Sequence, residues 1–105
     1  PVWLAPVQVR VLPISERQHE YAQQVFEKLQ EAGIRAELDS RSEKVGYKIR
    51  DGQLQKIPYL LIVGDKEVEQ EAVAVRHRKQ GDLGAESLAD FITRVTQEIK
   101  EKTND

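Results

Sequence analysis

Basic side chains are concentrated in two short stretches of this sequence, with an acidic segment between them. Cations attract phosphate groups, and arginine can also pair with the O6 and N7 atoms of guanine. A carboxylate complements arginine, because it accepts hydrogen bonds from N1 and N2 of the same base. The pattern indicates an RNA-binding surface, although each basic stretch alone is equally typical of a solvated helix or strand end. The stretches are residues 44–56 with Lys44, Lys48, Arg50 and Lys56, residues 65–69 with Asp65, Glu67 and Glu69, and the run Arg76-His77-Arg78-Lys79.

Residues for nucleophilic or metal-assisted catalysis are scarce. Cysteine is absent, and the two histidines, His19 and His77, have no obvious nucleophile or orienting partner nearby in sequence. We interpret both as surface residues. Metal-ligand spacing is missing, and Gly64-Asp65-Lys66 lacks the upstream glycine of a phosphate-binding loop. These observations disfavour an independent enzyme.

Length and composition predict one globular domain. The chain has 105 residues, of which 39% are hydrophobic and 32% charged, which suffices for a single core. Its net charge of −2 excludes a globally basic nucleic-acid binder, so RNA binding must come from a local patch. No apolar run approaches the roughly 18 residues of a membrane span, and the lack of cysteine is compatible with the cytoplasm. Methionine is absent even at residue 1, so we expect this chain to be a piece of a longer protein. Residues 1–6 are expected to lead in from an upstream domain, and residues 7–105 to form the domain itself.

The order of predicted elements indicates an α/β fold with three layers, helices lying on both faces of a largely parallel sheet. Capping boxes at Ser15 with Gln18, and at Ser40 with Glu43, predict two helix starts, and Gly33 predicts the end of the first helix. Residues 65–69 are expected to form a turn, and a brief fifth strand is expected after residue 80. Strands are predicted at residues 7–12, 34–38, 59–63 and 72–76, and helices at 15–32, 41–57 and from Glu86 or Ser87 onward.

The predicted second helix combines a basic character with two glycines. At about 100° per residue, one arc is expected to pack on the sheet, with Gly46 near its middle to allow a close approach. Each interior glycine costs a helix about 1 kcal/mol relative to alanine, so such a role is needed. Arg50 is the unusual member of this arc, because a buried cation requires either a partner, such as Asp39 or Glu67, or an opening to a ligand. The packed arc comprises Gly46, Ile49, Arg50, Gln53, Leu54 and Ile57, and the opposite arc comprises Lys44, Lys48, Asp51 and Gln55.

Three segments together resemble the C-terminal anticodon-binding domain of bacterial-type threonyl-tRNA synthetases, which are class II enzymes. They are VWLAPVQVRVLPIS, AGIRAELDSRSEKVGYKIRDGQLQKIPYLLIVGDKEVE and VAVRHRKQGDLG. The resemblance covers the chain from about Val2 to the last helix. It implies an α/β/α sandwich with a five-stranded mixed sheet, in which the fourth strand is antiparallel to the rest. It also implies recognition of the tRNA(Thr) anticodon without catalysis, the catalytic domain lying elsewhere in the parent protein.

The resemblance also assigns roles to individual residues. The arginine that ends KIR, the last glutamate of GDKE and the arginine after VAV contact anticodon bases in that family, which implies these roles for Arg50, Glu67 and Arg76. The family usually has asparagine where this chain has Ser42, whose hydroxyl has a shorter reach. Threonine anticodons share G and U at their middle and last positions, and no residue is assigned to a particular base. Further contacts with the RNA backbone or by stacking are expected from Lys44, Tyr47, Lys48, Arg78 and Lys79.

The resemblance also concerns the parent protein. It implies a threonine–tRNA ligase that is dependent on ATP, magnesium and zinc, usually a homodimer formed mainly by its catalytic core, with no cofactor in this domain and no membrane partner. Two alternatives remain at this stage. The same fold could serve as a protein-interaction or regulatory module, or the chain could be the anticodon domain of a prolyl-, histidyl- or glycyl-type synthetase.

Overall fold

A five-stranded mixed sheet organises the molecule, which is described by a computed structural model covering residues 1–102. The strand order is β2-β1-β3-β4-β5, and β1 is parallel to both β2 and β3. The fourth strand is antiparallel to its two neighbours, as the resemblance implied. The strands are β1 Val9–Pro13, β2 Ala36–Leu38, β3 Tyr59–Val63, β4 Ala72–His77 and β5 Gly81–Ser87. The helices are α1 His19–Glu31, α2 Val45–Leu54, α3 Asp65–Gln70 and α4 Leu88–Lys100, with 3-10 turns at Val2–Leu4 and Glu16–Gln18.

One face of the sheet is covered by α1 and α4, which together form the main core. Their apolar residues recur at helical spacing and face the alternate, inward-pointing residues of the strands. Val2, from the start of the chain, is also buried in this core. The core includes Ala22, Val25 and Leu29 of α1, Leu88, Phe91 and Val95 of α4, and Val9, Val11, Tyr59, Leu61, Val73 and Val75 of the strands.

Within the described range, the other face is covered by α2, which packs mainly on β1 and β3. A smaller core of Leu12, Ile57 and Leu60 lies under it, with Ile49 and Ile62 at its border. Strand partners directly opposite each other point to the same face, and Arg76 lies opposite Leu60 in the register of β3 and β4. Arg76 therefore lies on the α2 side of the sheet, beside the part that α2 covers. The uncovered part of this side is formed by β4 and β5 with the adjoining edge of β3, and we call it the open half-face.

Several predicted boundaries are confirmed. The strand at 59–63 has the predicted limits, and the N–H and Oγ of Ser15 lie 2.8 and 3.0 Å from Gln18 Oε1, as in a capping box. Gly33 ends the first helix with φ of +82°, a conformation that favours glycine. Ser87 caps α4, since its Oγ accepts from the Asp90 N–H at 3.1 Å.

Three expectations were wrong. The predicted capping box at Ser40 and Glu43 does not start a helix; α2 begins later, at Val45, because the Asp39 carboxylate accepts from the N–H and the side chain of Arg41 and holds a bend there. Residues 65–70 form the helix α3 instead of a turn. The fifth strand is long, at seven residues, because it pairs along the whole of β4 with one bulge.

The two ends of the chain differ in how far the structure describes them. Residues 103–105, the end of the predicted domain 7–105, lie outside the described residues. The lead-in segment 1–6 is held against the domain, since Arg35 donates to the carbonyl oxygens of Trp3 and Ala5, and its origin in an upstream domain stays a prediction. Within residues 1–102, none of the helices has the length and apolar character that crossing a membrane would require.

Candidate nucleic-acid interface

The face that α2 turns to the sheet differs from the predicted one. Gly52, not Gly46, is the glycine that allows close packing, because a Cβ at residue 52 would lie 2.6 Å from Leu60 Cδ2. Gly46 is exposed, and among the described residues a Cβ there would have no heavy atom within 4 Å apart from its chain neighbours and the backbone of its own helix. Leu54, predicted to pack, is 76% exposed. The helix is therefore rotated away from the expected arc, because a lysine occupies its buried side.

Lys48 was predicted to contact RNA, and this prediction was wrong. Its side chain is buried at 1% exposure, and its Nζ donates to the carbonyl oxygens of Pro13 and Asp39, each at 3.1 Å. These carbonyls lie at the carboxyl ends of β1 and β2, where the strands leave acceptors unused. Burial lowers the pKa of Lys48, since desolvation disfavours the charged form. The structure thus places Lys48 in the protein interior and not on an RNA-facing surface.

A network of charges fixes one flank of α2, which carries Asp51 and Gln55, to the strands β1 and β2. Arg10 donates to Glu37 at 2.7 Å, to Asp51 at 3.1 Å and to Gln55 at 2.9 Å. Arg41 continues the network, binding the Asp39 carboxylate through two nitrogens at 2.9 and 2.7 Å and Asp51 at 3.0 Å. Hydrogen bonds from Arg41 hold the pKa of Asp39 and that of Asp51 below their usual values. This flank is saturated with intramolecular partners.

Arg50 lies outside this network. The two partners considered for it are both engaged elsewhere, Asp39 by Arg41 and Glu67 by a backbone N–H. Arg50 is exposed, and its side chain has no hydrogen bond or ion pair with any other residue in the range 1–102. Asp51 and Gln55 mark the flank of α2 that faces β1 and β2. At 100° per residue, Gly46 and Gln53 lie on the other flank, with Arg50 at its outer rim. Arg50 thus borders the open half-face.

Arg76 and Glu67 lie at different levels along the direction of the strands. Arg76 is half-buried on β4, and within the described range its side chain has no hydrogen-bond partner. Glu67, in α3, follows the end of β3, and its Oε1 accepts from the Gly64 N–H at 2.7 Å. Leu60, the partner of Arg76, precedes the end of β3 by three residues, which is about 10 Å of strand. Arg76 thus lies within the open half-face and Arg50 borders it, whereas Glu67 lies in α3, beyond the end of β3.

The remaining predicted contacts lie at the two ends of α2. Ser42 and Lys44 are exposed in the bend before α2, beside a cleft that the loop after β1 also lines. Tyr47 is 48% exposed, with the guanidinium of Arg41 5.4 Å from its ring centroid. At the other end of α2, Arg78 and Lys79 are exposed in the turn between β4 and β5, and Arg78 donates to the Lys56 carbonyl at 3.3 Å.

Two further residues near Arg76 were not identified correctly from sequence. His77 is buried, not on the surface, because its ring packs edge-on against Tyr59 at 5.0 Å and its Nδ1 accepts from the N–H groups of Lys79 and Gln80. It orders the turn that carries Arg78 and Lys79. Asp82 lies opposite Arg76 across β4 and β5. The position of the turn at residues 78–80 sets this pairing, because Arg76 and Asp82 are the second pair from the turn.

The fold and this surface define an open α/β domain of the type found in class II anticodon-binding domains. The chain belongs to the family described as "Anticodon binding domain", whose profile matches residues 8–98. It is similar to the threonine–tRNA ligase of Syntrophomonas wolfei, at 64% identity over 102 residues, which is 97% of this chain and 16% of that protein. The chain therefore spans about a sixth of the length of such relatives.

Two solved structures share the fold. One is the RNA-binding domain of threonyl-tRNA synthetase from Cryptosporidium parvum, with a TM-score of 0.87 and 31% identity over 92% of this chain and 24% of that one. The other is prolyl-tRNA synthetase from the same organism, with a TM-score of 0.85 and 25% identity over 96% of this chain and 22% of that one. The fold is therefore common to both synthetase types, and sequence identity separates them better than shape.

Proposed function

We propose that this chain is the anticodon-reading domain of a threonine–tRNA ligase. The observation that carries the proposal is the position of Arg50 and Arg76 at the open half-face, where the side chains of both arginines lack intramolecular partners in the described range. The 64% identity to a threonine–tRNA ligase, against 25% to a prolyl-tRNA synthetase, favours threonine over proline specificity. The domain recognises tRNA(Thr), and a separate catalytic domain of the same protein charges it.

The chemistry of the three side chains suits single-stranded RNA. A free guanidinium can donate two hydrogen bonds to O6 and N7 of guanine, and an unstacked base exposes these atoms. Glu67 is held by the Gly64 N–H, so its carboxylate is oriented before RNA arrives and accepts from a base donor with little loss of side-chain freedom. The separation of Glu67 and Arg76 along the strand suits contacts with different parts of the anticodon loop. Ser42, Lys44 and Tyr47 at one end and Arg78 and Lys79 at the other extend the contact to the RNA backbone.

The catalytic activity belongs to other parts of the parent protein in this proposal. Among residues 1–102, no group of three or more His, Cys, Asp or Glu side chains is placed to hold a metal ion. We place the zinc, ATP and magnesium that the resemblance implies for the parent protein in its catalytic domain. The parent is a cytoplasmic homodimer joined mainly through that domain.

The test is binding of anticodon stem-loops to the 105-residue chain, measured by fluorescence anisotropy at fixed low salt. The wild type should bind the threonine stem-loop more tightly than one with the middle G changed to A, by about 1–3 kcal/mol. Arg50→Ala and Arg76→Ala should weaken binding, and the variant that loses the guanine contact should bind both loops equally. Lys28→Ala, which removes the same charge from the exposed side of α1, should retain the preference.

A third stem-loop separates threonine from proline specificity. Proline anticodons share the middle G and have G where threonine anticodons have the last U. Tighter binding to the loop with that final G would support the prolyl-type alternative. Equal binding of the wild type to all loops would reduce the interaction to phosphate attraction and exclude base reading by Arg50 or Arg76. Failure to bind any loop would favour the protein-interaction alternative.

A further inference from the structure

The two glycines of α2 differ in what the protein itself requires of them. Gly52 lies against Leu60, so a side chain there would collide with the sheet. A Cβ at Gly46 would meet no described atom within 4 Å beyond its chain neighbours and the backbone of its own helix, and the φ of Gly46 is not among the positive values that favour glycine. Neither packing nor backbone conformation thus explains Gly46, even though glycine weakens a helix relative to alanine.

The position of Gly46 relative to Arg50 points to an external reason. The two residues are four apart, so they lie on the same side of α2, one turn from each other. Side chains of a helix lean toward its N-terminus and cover the surface of the preceding turn. The guanidinium of Arg50 therefore leans toward the bare surface that Gly46 leaves. That surface is on the flank of α2 that borders the open half-face.

We infer that Gly46 provides the space in which an RNA base lies while Arg50 binds its edge. A base in contact with the Cα of Gly46 presents its polar edge to the guanidinium without steric hindrance, and any side chain at residue 46 displaces it. Gly46 is thus a specificity-determining residue for a single-stranded RNA ligand. The inference rests on the proposed function and adds a steric requirement beside the hydrogen-bonding one.

The test compares Gly46→Ala and Gly46→Leu with the wild type, using the same stem-loops. Both variants should fold, with a melting temperature that is unchanged or raised by up to about 4–8 °C, because the new side chain meets no neighbour and favours the helix. Affinity for the threonine stem-loop should nevertheless fall, by about tenfold or more for leucine, because overpacking a close contact is costly. Stability and binding should thus change in opposite directions.

Two matched controls complete the experiment. Gln30→Leu adds a leucine to the exposed side of α1 and should leave affinity unchanged, which excludes a general effect of apolar surface. The double variant Gly46→Leu with Arg50→Ala should bind about as weakly as the weaker single variant, because both changes remove the same base contact.

Each outcome is decisive for one of the two claims. If the wild type prefers the threonine loop and Gly46→Leu keeps the same affinity and preference, the inference is overturned while the proposed function stands. A clear fall in melting temperature for Gly46→Ala would show that the protein's own packing needs the glycine, and would also overturn it. If the wild type shows no preference among the loops, the proposed function fails and the inference fails with it.

Discussion

The arginine side chains beside α2 fall into two groups according to what they face. Arg10 and Arg41 bind carboxylates on several sides, and taking an RNA base would require them to give up these bonds. Arg50 and Arg76 make no such bonds within the described range, so their donors are available at no intramolecular cost. At the scale of single residues, the free arginines and not the total charge mark the candidate interface.

Asp39 provides a test of the paired group. Its carboxylate is buried and binds the half-exposed Arg41. Replacing it in Asp39→Asn should lower the free energy of unfolding at pH 7 by about 2 kcal/mol, because Arg41 loses a charged acceptor. The free energy is measured by urea unfolding, followed by circular dichroism.

The same substitution predicts a change in pH dependence. The pKa of Asp39 is lowered in the folded state, chiefly by hydrogen bonds from Arg41, so its contribution is fully present above the unfolded pKa of about 4. Below that value the unfolded chain takes up the proton first, and the contribution is lost as the pH falls through the lowered pKa. The loss of stability between pH 7 and pH 3 should be smaller in Asp39→Asn than in the wild type. Glu31→Gln, an exposed control, should keep the wild-type difference, and an unchanged difference in Asp39→Asn would contradict the assignment.

The element that positions the interface is α2, and Lys48 fixes its first half. The ammonium of Lys48 ties the helix to the last residues of β1 and to the residue that follows β2, while Gly52 sets its second half on Leu60. The charge network holds one flank, so the other flank, with Gly46, faces the open half-face. The orientation of one helix thus decides which of its residues a ligand meets.

Lys48→Met and Lys44→Met should separate the structural lysine from the exposed one. Lys48→Met leaves two buried carbonyls without a donor and should lower the free energy of unfolding by about 1–3 kcal/mol. Lys44→Met should leave stability nearly unchanged, since Lys44 is exposed. The effects on RNA binding should be the reverse of those on stability. Lys44→Met should reduce the slope of log affinity against log salt by about 0.7–0.9, whereas Lys48→Met should leave it unchanged. A reduced slope in a folded Lys48→Met variant would instead show that Lys48 contacts phosphate.

At the scale of the whole molecule, the two faces of the sheet are unequal. Two helices of thirteen residues each, α1 and α4, cover one face, whereas α2, with ten residues, covers part of the other. The uncovered part is bordered by Arg50 and includes Arg76. A net charge of −2 disfavours RNA binding elsewhere, because phosphates are repelled by the acidic remainder.

Hydrogen–deuterium exchange should therefore report a one-sided footprint. When the threonine stem-loop binds, exchange should slow in peptides from residues 42–54 and 72–83, because the RNA covers the open half-face and the adjoining helix. Peptides from α1 and α4 should exchange at unchanged rates. A stem-loop with the middle G replaced, at the same concentration, serves as the control and should give weaker protection. Protection centred on α1 and α4 would place the RNA on the wrong face and contradict the interface.

The sequence by itself determined the elements whose signals are local. The strand β3, the capping box at Ser15, the left-handed Gly33 and the start of α4 at Ser87 depend on residues within a few positions of each other, so their predictions hold. The motifs also identified the family, since they lie in unbroken segments that cover nearly the whole chain.

Only the tertiary structure decided which side of α2 is buried and which charges remain free. The helix has few apolar residues, so its periodicity is weak, and its buried side contains a lysine that is tolerated only because distant strand ends supply two carbonyl acceptors. The pairing of Arg10 with Asp51 joins residues 41 positions apart. Such contacts depend on how the elements pack, and no local pattern encodes them. They leave Arg50 and Gly46 facing outward, which is where the proposed RNA contact lies.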